Sequence, residues 1–224
     1  MKRRGRDNHT LIAIVPVNIL SKSKARLAPS FGAAERRRLS TAMLLDVLRA
    51  IKSVRRVHRI TVVSADRSVG RIARAAGGHF LWEGKRRGLN KGLRLALRDA
   101  AARRATAALI LPSDLPVIRP HEIRAFLKRS AGYPMAMNPS KDGAGTNALL
   151  LRPPEIIGPS FGRNSFPRHL AIARRKGLSV KVVRMPGISL DVDETRDLAR
   201  VKRRSIRNET GRLLKAIEAE GTKV

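Results

Sequence analysis

This sequence predicts an α/β fold: a doubly wound, mostly parallel sheet with helices on both faces. Three observations carry the prediction. Short β-branched apolar runs alternate with amphipathic stretches of roughly 10–20 residues, the signature of βαβ units. Such units connect through right-handed crossovers, which place helices on both faces of the sheet. The 224-residue chain is 42% apolar, which supplies one well-filled core.

The elements follow in order. LIAIVPV (Leu11–Val17) reads as a buried strand, and the loop SKSKARLAPSFG after it is punctuated by Pro29 and Gly32. Leu44, Val47, Leu48 and Ile51 recur at helical spacing within Ala33–Ser53. Ile60–Ser64 is a second strand, and Arg67–Ala76 a helix that Gly77 closes. His79–Glu83 is a third strand, followed by a helix over Leu89–Arg104 with Leu89, Leu93, Leu97 and Ala100 on one face. Ala108–Asp114 is a strand that ends on a carboxylate, and Arg119–Ser130 a helix starting at Pro120. Strands around Met135–Met137 and Asn147–Leu151 form a pair, with a helix near Ser165–Lys176. Val180–Met185 and Ile188–Asp193 are late strands, and Glu194–Arg204 the last helix. Residues 1–10 read as a basic extension, 11–201 as a single domain and 202–224 as a charged tail, disordered to helical.

Charge is the unusual feature: 48 Lys+Arg against 17 Asp+Glu give +31. That asks for anionic partners, yet aromatics are only 3% of the chain, too few for stacking platforms. Nucleic acid is therefore possible from charge but not favoured. No cysteine is present, which excludes disulfides, thiolate metal sites and cysteine nucleophiles. The five histidines show no metal-binding spacing, and His169 is expected on a helix surface. No signal peptide or membrane span is evident, so a cytoplasmic protein without membrane partners is expected.

In an open α/β sheet ligands bind beyond the carboxyl ends of the strands. The loop after the first strand carries Lys22, Lys24 and Arg26, cations suited to phosphates, although neither a P-loop nor a dinucleotide fingerprint is present. LPSDLP holds Asp114 between two prolines, where a carboxylate can hold Mg²⁺ or accept a backbone N–H. In ISLDVDETRDL, alternation puts Ser189, Asp191 and Asp193 on one strand face. Asp193 is a good helix N-cap, leaving Asp191 the better ligand and a partner for Asp114 on one Mg²⁺. KDGAGTN and SFGRNSFPRH supply glycine-rich cradles for a phosphate or carboxylate.

VPVNILSKSKARL, VVSAD, GLNKGL, LILPSDLPVI, DGAGTNALLLRPP, FGRNSFPRHL and SLDVDETRDL occur in that order. Together they resemble the 2-phospho-L-lactate (or phosphoenolpyruvate) guanylyltransferase family of coenzyme F(420) biosynthesis, over about Leu11–Val201. The resemblance implies a MobA-like fold of the nucleotide-diphospho-sugar-transferase kind. It implies GTP and a phosphorylated three-carbon acid as substrates, Mg²⁺ as cofactor and pyrophosphate as a product. It assigns Lys24 and Arg26 to the triphosphate and catalysis together with Asp114, and Asp114 and Asp191 to the metal. Pro16, Ser64, Leu89 and Asn90 would bind the nucleotide, the last three lining the guanine pocket, while Thr146, Gly162 and Ser165 would receive the acceptor. The chain departs from the family at Asn18, where a lysine is usual, and in the basic cluster Lys85-Arg86-Arg87. Two alternatives stay open: a nucleotidyltransferase of the same fold with another acceptor, or a basic RNA-associated protein. A homodimer is possible, though no motif shows it.

Overall fold

The computed structural model describes residues 10–84, 88–204 and 207–220. The basic extension, apart from Thr10, and the Lys85-Arg86-Arg87 cluster lie outside the described residues. Among the described residues seven strands and seven α-helices are formed: β1 (Leu11–Pro16), α1 (Ala33–Lys52), β2 (Val57–Ser64), α2 (Arg67–Ala75), β3 (His79–Trp82), α3 (Leu89–Ala102) and β4 (Ala107–Ile110) come first. Then follow α4 (Pro120–Arg129), β5 (Met135–Pro139), β6 (Thr146–Leu151), α5 (Ser165–Arg175), β7 (Val180–Val182), α6 (Thr195–Lys202) and α7 (Glu209–Ala219). They build one sheet of order β3-β2-β1-β4-β6-β5-β7. Only β6 runs against its neighbours β4 and β5; the other pairs are parallel.

Alternation along the strands decides which helix packs where. Ala13, Val15, Val62, Leu109, Ala136 and Leu150 meet α1, α2 and α4 through Leu48, Ala73 and Phe126. The intervening residues Ile12, Ile14, Val63, Ala108, Met137 and Leu149 meet Leu93 and Leu97 of α3 and Ala173 of α5. Both sheet faces are thus covered, as near-continuous apolar strands require. The chain leaves β1 toward β2 on one side, and β4 begins the other half. The crevice beyond β1 and β4 is therefore the switch in strand order.

Two predicted strands need correction. The run expected over Ala108–Asp114 leaves the sheet after Ile110, with Leu111 still bonding Ile14 O at 3.0 Å. Pro112 has no N–H to continue the ladder, so Asp114 sits in a loop. Ile188–Asp193 is not a strand at all. Its N–H groups go elsewhere, Ser189 to Met185 O at 2.8 Å and Val192 to Asp114 O at 3.1 Å. The alternation is real, because Ile188, Leu190 and Val192 are buried, but packing produces it rather than a ladder.

A third core explains that packing. Leu190 and Val192 join Leu27 and Phe31 of the loop after β1, Leu39 and Met43 of α1, Leu198 of α6, and Leu214 and Ile217 of α7. Residues 209–219, read from sequence as tail, form a helix seated on α1. Asp46 of α1 caps it, accepting the N–H groups of Glu209 and Thr210 at 2.9 Å each and the Thr210 hydroxyl at 2.7 Å.

Candidate active site

The loop after β1 is folded by its own turns. Leu20–Lys22 and Ala25–Leu27 are single 3₁₀ turns, and Lys24 between them takes a left-handed conformation at φ 55°. Two contacts fix this loop to its surroundings. Asp66, the N-cap of α2, accepts Leu20 N–H at 3.1 Å, and the Ser23 and Ser40 hydroxyls meet at 2.6 Å. Lys24 Nζ is thereby held 2.5 Å from Asp114 Oδ2 and 3.0 Å from Asp193 Oδ1, its side chain only 9% exposed. Burial alone would lower the Lys24 pKa, but the two carboxylates outweigh it and hold the ammonium protonated beyond its ordinary range. Arg26 lies at the rim, 71% exposed and 3.9 Å from Asp193 and Glu194 oxygens.

Asp191 stands in the same neighbourhood, accepting Asn147 Nδ2 at 3.1 Å. Burial, then the charge of Asp114, pushes its carboxyl up to about 6. The expected pair Asp114 and Asp191 is thus brought into electrostatic contact. Asp193, read as a helix cap, does something else: Glu194 is the N-cap of α6, and the Asp193 carboxylate faces Lys24. Its partner lies 169 residues away in sequence, a pairing that no local spacing reveals.

On the neighbouring flank the expected acceptor residues converge. Ser165 Oγ accepts Thr146 N–H at 2.9 Å, and Ser165 N–H reaches Gly162 O at 3.1 Å. Gly162 adopts φ 112°, a conformation that favours glycine. His169 organises the group. It is fully buried, not on the surface as expected, because Ser160 N–H donates to its Nε2 at 2.9 Å while Nδ1 lies 3.1 Å from Thr146 Oγ1. Since Nε2 accepts, the proton belongs on Nδ1, which donates to the Thr146 hydroxyl. Burial, and then the charge of Arg168, lowers its pKa to about 4.

The nucleotide residues are only partly gathered. Pro16 and Leu89 line a cleft of about 190 Å³ together with Lys24, Asp114, Asp193 and Phe161. The cleft continues past Pro16, Val17 and Leu89 to Val63, Ala65, Glu83, Gly88 and Gly92. Ser64 does not reach it: the residue is fully buried and its hydroxyl accepts Asp66 N–H at 3.0 Å. Asn90 does not offer its amide to a base either. It clamps the Phe161 main chain, donating to the carbonyl at 3.0 Å and accepting the N–H at 2.7 Å.

Comparison with known proteins bears directly on this cleft. The family profile described as "Guanylyl transferase CofC like" matches residues 11–219. The chain belongs to this guanylyltransferase family. The matched region takes in α7, so the family pattern reaches beyond Val201, where the motifs in the sequence stop. It is 41% identical over 189 residues to a phosphoenolpyruvate guanylyltransferase of Sphaerobacter thermophilus, covering 84% of this chain and 91% of that protein. It is 37% identical over 189 residues to a 2-phospho-L-lactate guanylyltransferase of Methanothermobacter thermautotrophicus, covering 84% and 82%. A 3-phospho-D-glycerate guanylyltransferase of Phenylobacterium zucineum is 33% identical over 200 residues, with 88% and 92% covered. Among solved structures, a 4-diphosphocytidyl-2C-methyl-D-erythritol synthase superposes with a TM-score of 0.61 at 11% identity, over 87% of this chain and 97% of its own. A Desulfovibrio desulfuricans protein described as a nucleotide-diphospho-sugar transferase reaches 0.77 at 18% identity, covering 93% and 95%. These likenesses place the fold among nucleotide-diphospho-sugar transferases. No described helix is long and apolar enough to cross a membrane.

Proposed function

We propose that this chain transfers the guanylyl group of GTP to the phosphate of a phosphorylated three-carbon acid: phosphoenolpyruvate, 2-phospho-L-lactate or 3-phosphoglycerate. The product belongs to coenzyme F(420) biosynthesis, as the family implies. An acceptor phosphate oxygen attacks the α-phosphorus, the bond from that phosphorus to the β-bridging oxygen breaks, and pyrophosphate leaves. The acceptor phosphate is already anionic at neutral pH, so no general base is needed. Catalysis then rests on positioning and charge neutralisation.

The observation that carries the reading is Lys24 Nζ, held against Asp114 and Asp193 at the mouth of the switch-point cleft. There an ammonium meets the triphosphate while Arg26 covers the rim. Thr146 and Ser165, tied by His169, and the Gly162 turn form the acceptor side. The residues also fit Mg²⁺. Asp114 and Asp191 offer hard oxygens, and burial together with the charge of Asp114 raises the pKa of Asp191. Among the described residues no group of three or more acidic, histidine or cysteine side chains forms a complete metal cage. Two carboxylates suit an ion that fills the rest of its shell with phosphates and water. When bound, Mg²⁺ would neutralise charge developing at the α-phosphorus and on the leaving pyrophosphate.

Incubating the protein with GTP, Mg²⁺ and each of the three acids tests the proposal through pyrophosphate release. Release with one acid identifies the acceptor, and no release with any of them overturns the reading.

A further inference from the structure

A groove of about 510 Å³ lies at the opposite end of the sheet from the guanylyltransferase cleft. It borders Leu11 and Ala107, the first residues of β1 and β4, whereas Lys24 and Asp114 follow the carboxyl ends of those strands. Among the described residues the two concavities share no lining residue. Leu11, Ala107, Leu127 and Pro134 give the groove an apolar lining. Its charge comes from Arg56, in the turn before β2, and Arg152, directly after β6. No carboxylate stands among the described residues that line it. Arg152 is fixed rather than free. Its Nη1 donates to the Ser130 and Tyr133 carbonyls at 3.1 and 3.0 Å, and its main-chain N–H donates to Pro134 O at 2.8 Å. Burial, and then the charge of Arg56, lowers the Arg152 pKa, and no carboxylate offsets them. His58 adds a donor: its Nδ1 accepts Leu11 N–H at 3.2 Å, so the proton of the neutral ring sits on Nε2.

We propose that this groove is a second ligand site, which takes a small organic anion: a phosphate or carboxylate held by Arg56 and Arg152, carried on an apolar body that lies against Leu11, Leu127 and Tyr133. Two guanidiniums at one groove repel each other, and an oxyanion turns that repulsion into attraction. A guanidinium fork matches the oxygens of either head group, and its planar donors need little further ordering when one of the pair is already bonded in place. An apolar lining with a few convergent polar groups is the usual make-up of a small-molecule site, and it gains from the body of the ligand what a bare ion cannot supply. The proposal does not depend on the nucleotide chemistry at the other end of the sheet.

The test titrates isotope-labelled full-length protein with phenyl phosphate, phenylacetate and inorganic phosphate, and follows the amide NMR shifts of Leu11, Ala107 and Tyr133. At least one of the two organic anions moves these amides saturably, and the tighter of them names the head group. Inorganic phosphate binds at least about tenfold more weakly than that anion, because it has no ring to bury. Arg56 is exposed, so Arg56→Ala spares the core, and it weakens binding at least about tenfold, the worth of one charge-assisted hydrogen bond. Arg56→Glu supplies a carboxylate beside Arg152 from within the chain; it abolishes binding and raises the melting temperature. Both variants keep the wild-type affinity for GTP. Shifts confined to residues around Lys24 and Thr146, no movement of the three amides with either organic anion, equal affinity for inorganic phosphate, or unchanged affinity in both Arg56 variants overturns the proposal.

Discussion

Acidification tests the histidine at the centre of the proposed acceptor flank. His169 is fully enclosed, with Ser160 N–H on one ring nitrogen and Thr146 on the other. Its pKa in the folded protein is about 4, against 6.5 when unfolded. At pH 7 the ring is neutral in both states and costs nothing. Below pH 6.5 the unfolded chain takes up a proton that the folded chain refuses, so stability falls with pH until the folded ring titrates near 4. The interval of about 2.5 units, at about 1.4 kcal/mol per unit, amounts to roughly 3 kcal/mol lost across that window. Asp191 works in the opposite sense: its raised carboxyl binds a proton more tightly when folded, which favours the native state as pH drops below about 6. The net slope of wild type therefore mixes the two, and the comparison must be with a variant. Urea unfolding of wild type and His169→Gln between pH 7 and 4 isolates the histidine. Wild type should lose about 3 kcal/mol more than the variant over that range. Parallel pH profiles would refute the buried neutral ring and, with it, the proton assignment to Nδ1.

Asp114→Asn should lower kcat at least about 100-fold, as loss of one preorganised electrostatic group does, while leaving the circular dichroism spectrum intact. Lys24→Met removes the cation between Asp114 and Asp193 and should lower kcat/KM for GTP by a similar factor in the pyrophosphate assay. Asp46→Ala deprives α7 of three hydrogen bonds and should cost about 1–3 kcal/mol in denaturant unfolding. Gly187→Ala would drive a methyl into the Glu122 carboxylate, which accepts Gly187 N–H at 2.6 Å. It should destabilise the protein by about 1–3 kcal/mol, read as a lowered melting temperature.

The architecture was legible because apolar period and punctuation agree along most of the chain. Each strand from Leu11 to Leu151 was found within a few residues, and each helix from Ala33 to Arg175 likewise. The sequence failed where one signal had two physical sources. Alternating burial at Ile188, Leu190 and Val192 mimics a strand, yet it arises from packing a turn and the irregular chain after it onto two different cores. At the site, Lys24 and Asp114 could be picked out because loops after strands face the ligand crevice, Asp191 through the alternation in ISLDVDETRDL, and Pro16 and Leu89 only through the family resemblance. The roles of Asp193, His169 and Asn90 depend on partners from 9 to 169 residues away, and spacing cannot express those. A hint did exist for His169: a histidine four residues into a helix that opens on a glycine turn can reach back under that turn.

The third core joins pieces that the chain order keeps apart. Leu27 follows Lys24 by three residues and Val192 lies between Asp191 and Asp193, and both rest on the same apolar cluster as Leu214 and Ile217. The Lys24 ammonium and the carboxylates of Asp191 and Asp193 are thus footed on one small hydrophobic block that the C-terminal helix closes. Order in that helix and alignment of the charged trio are thermodynamically linked. Nucleotide seated against Lys24 would slow amide exchange in α7, and loosening α7 would blur the site before it disturbed the sheet.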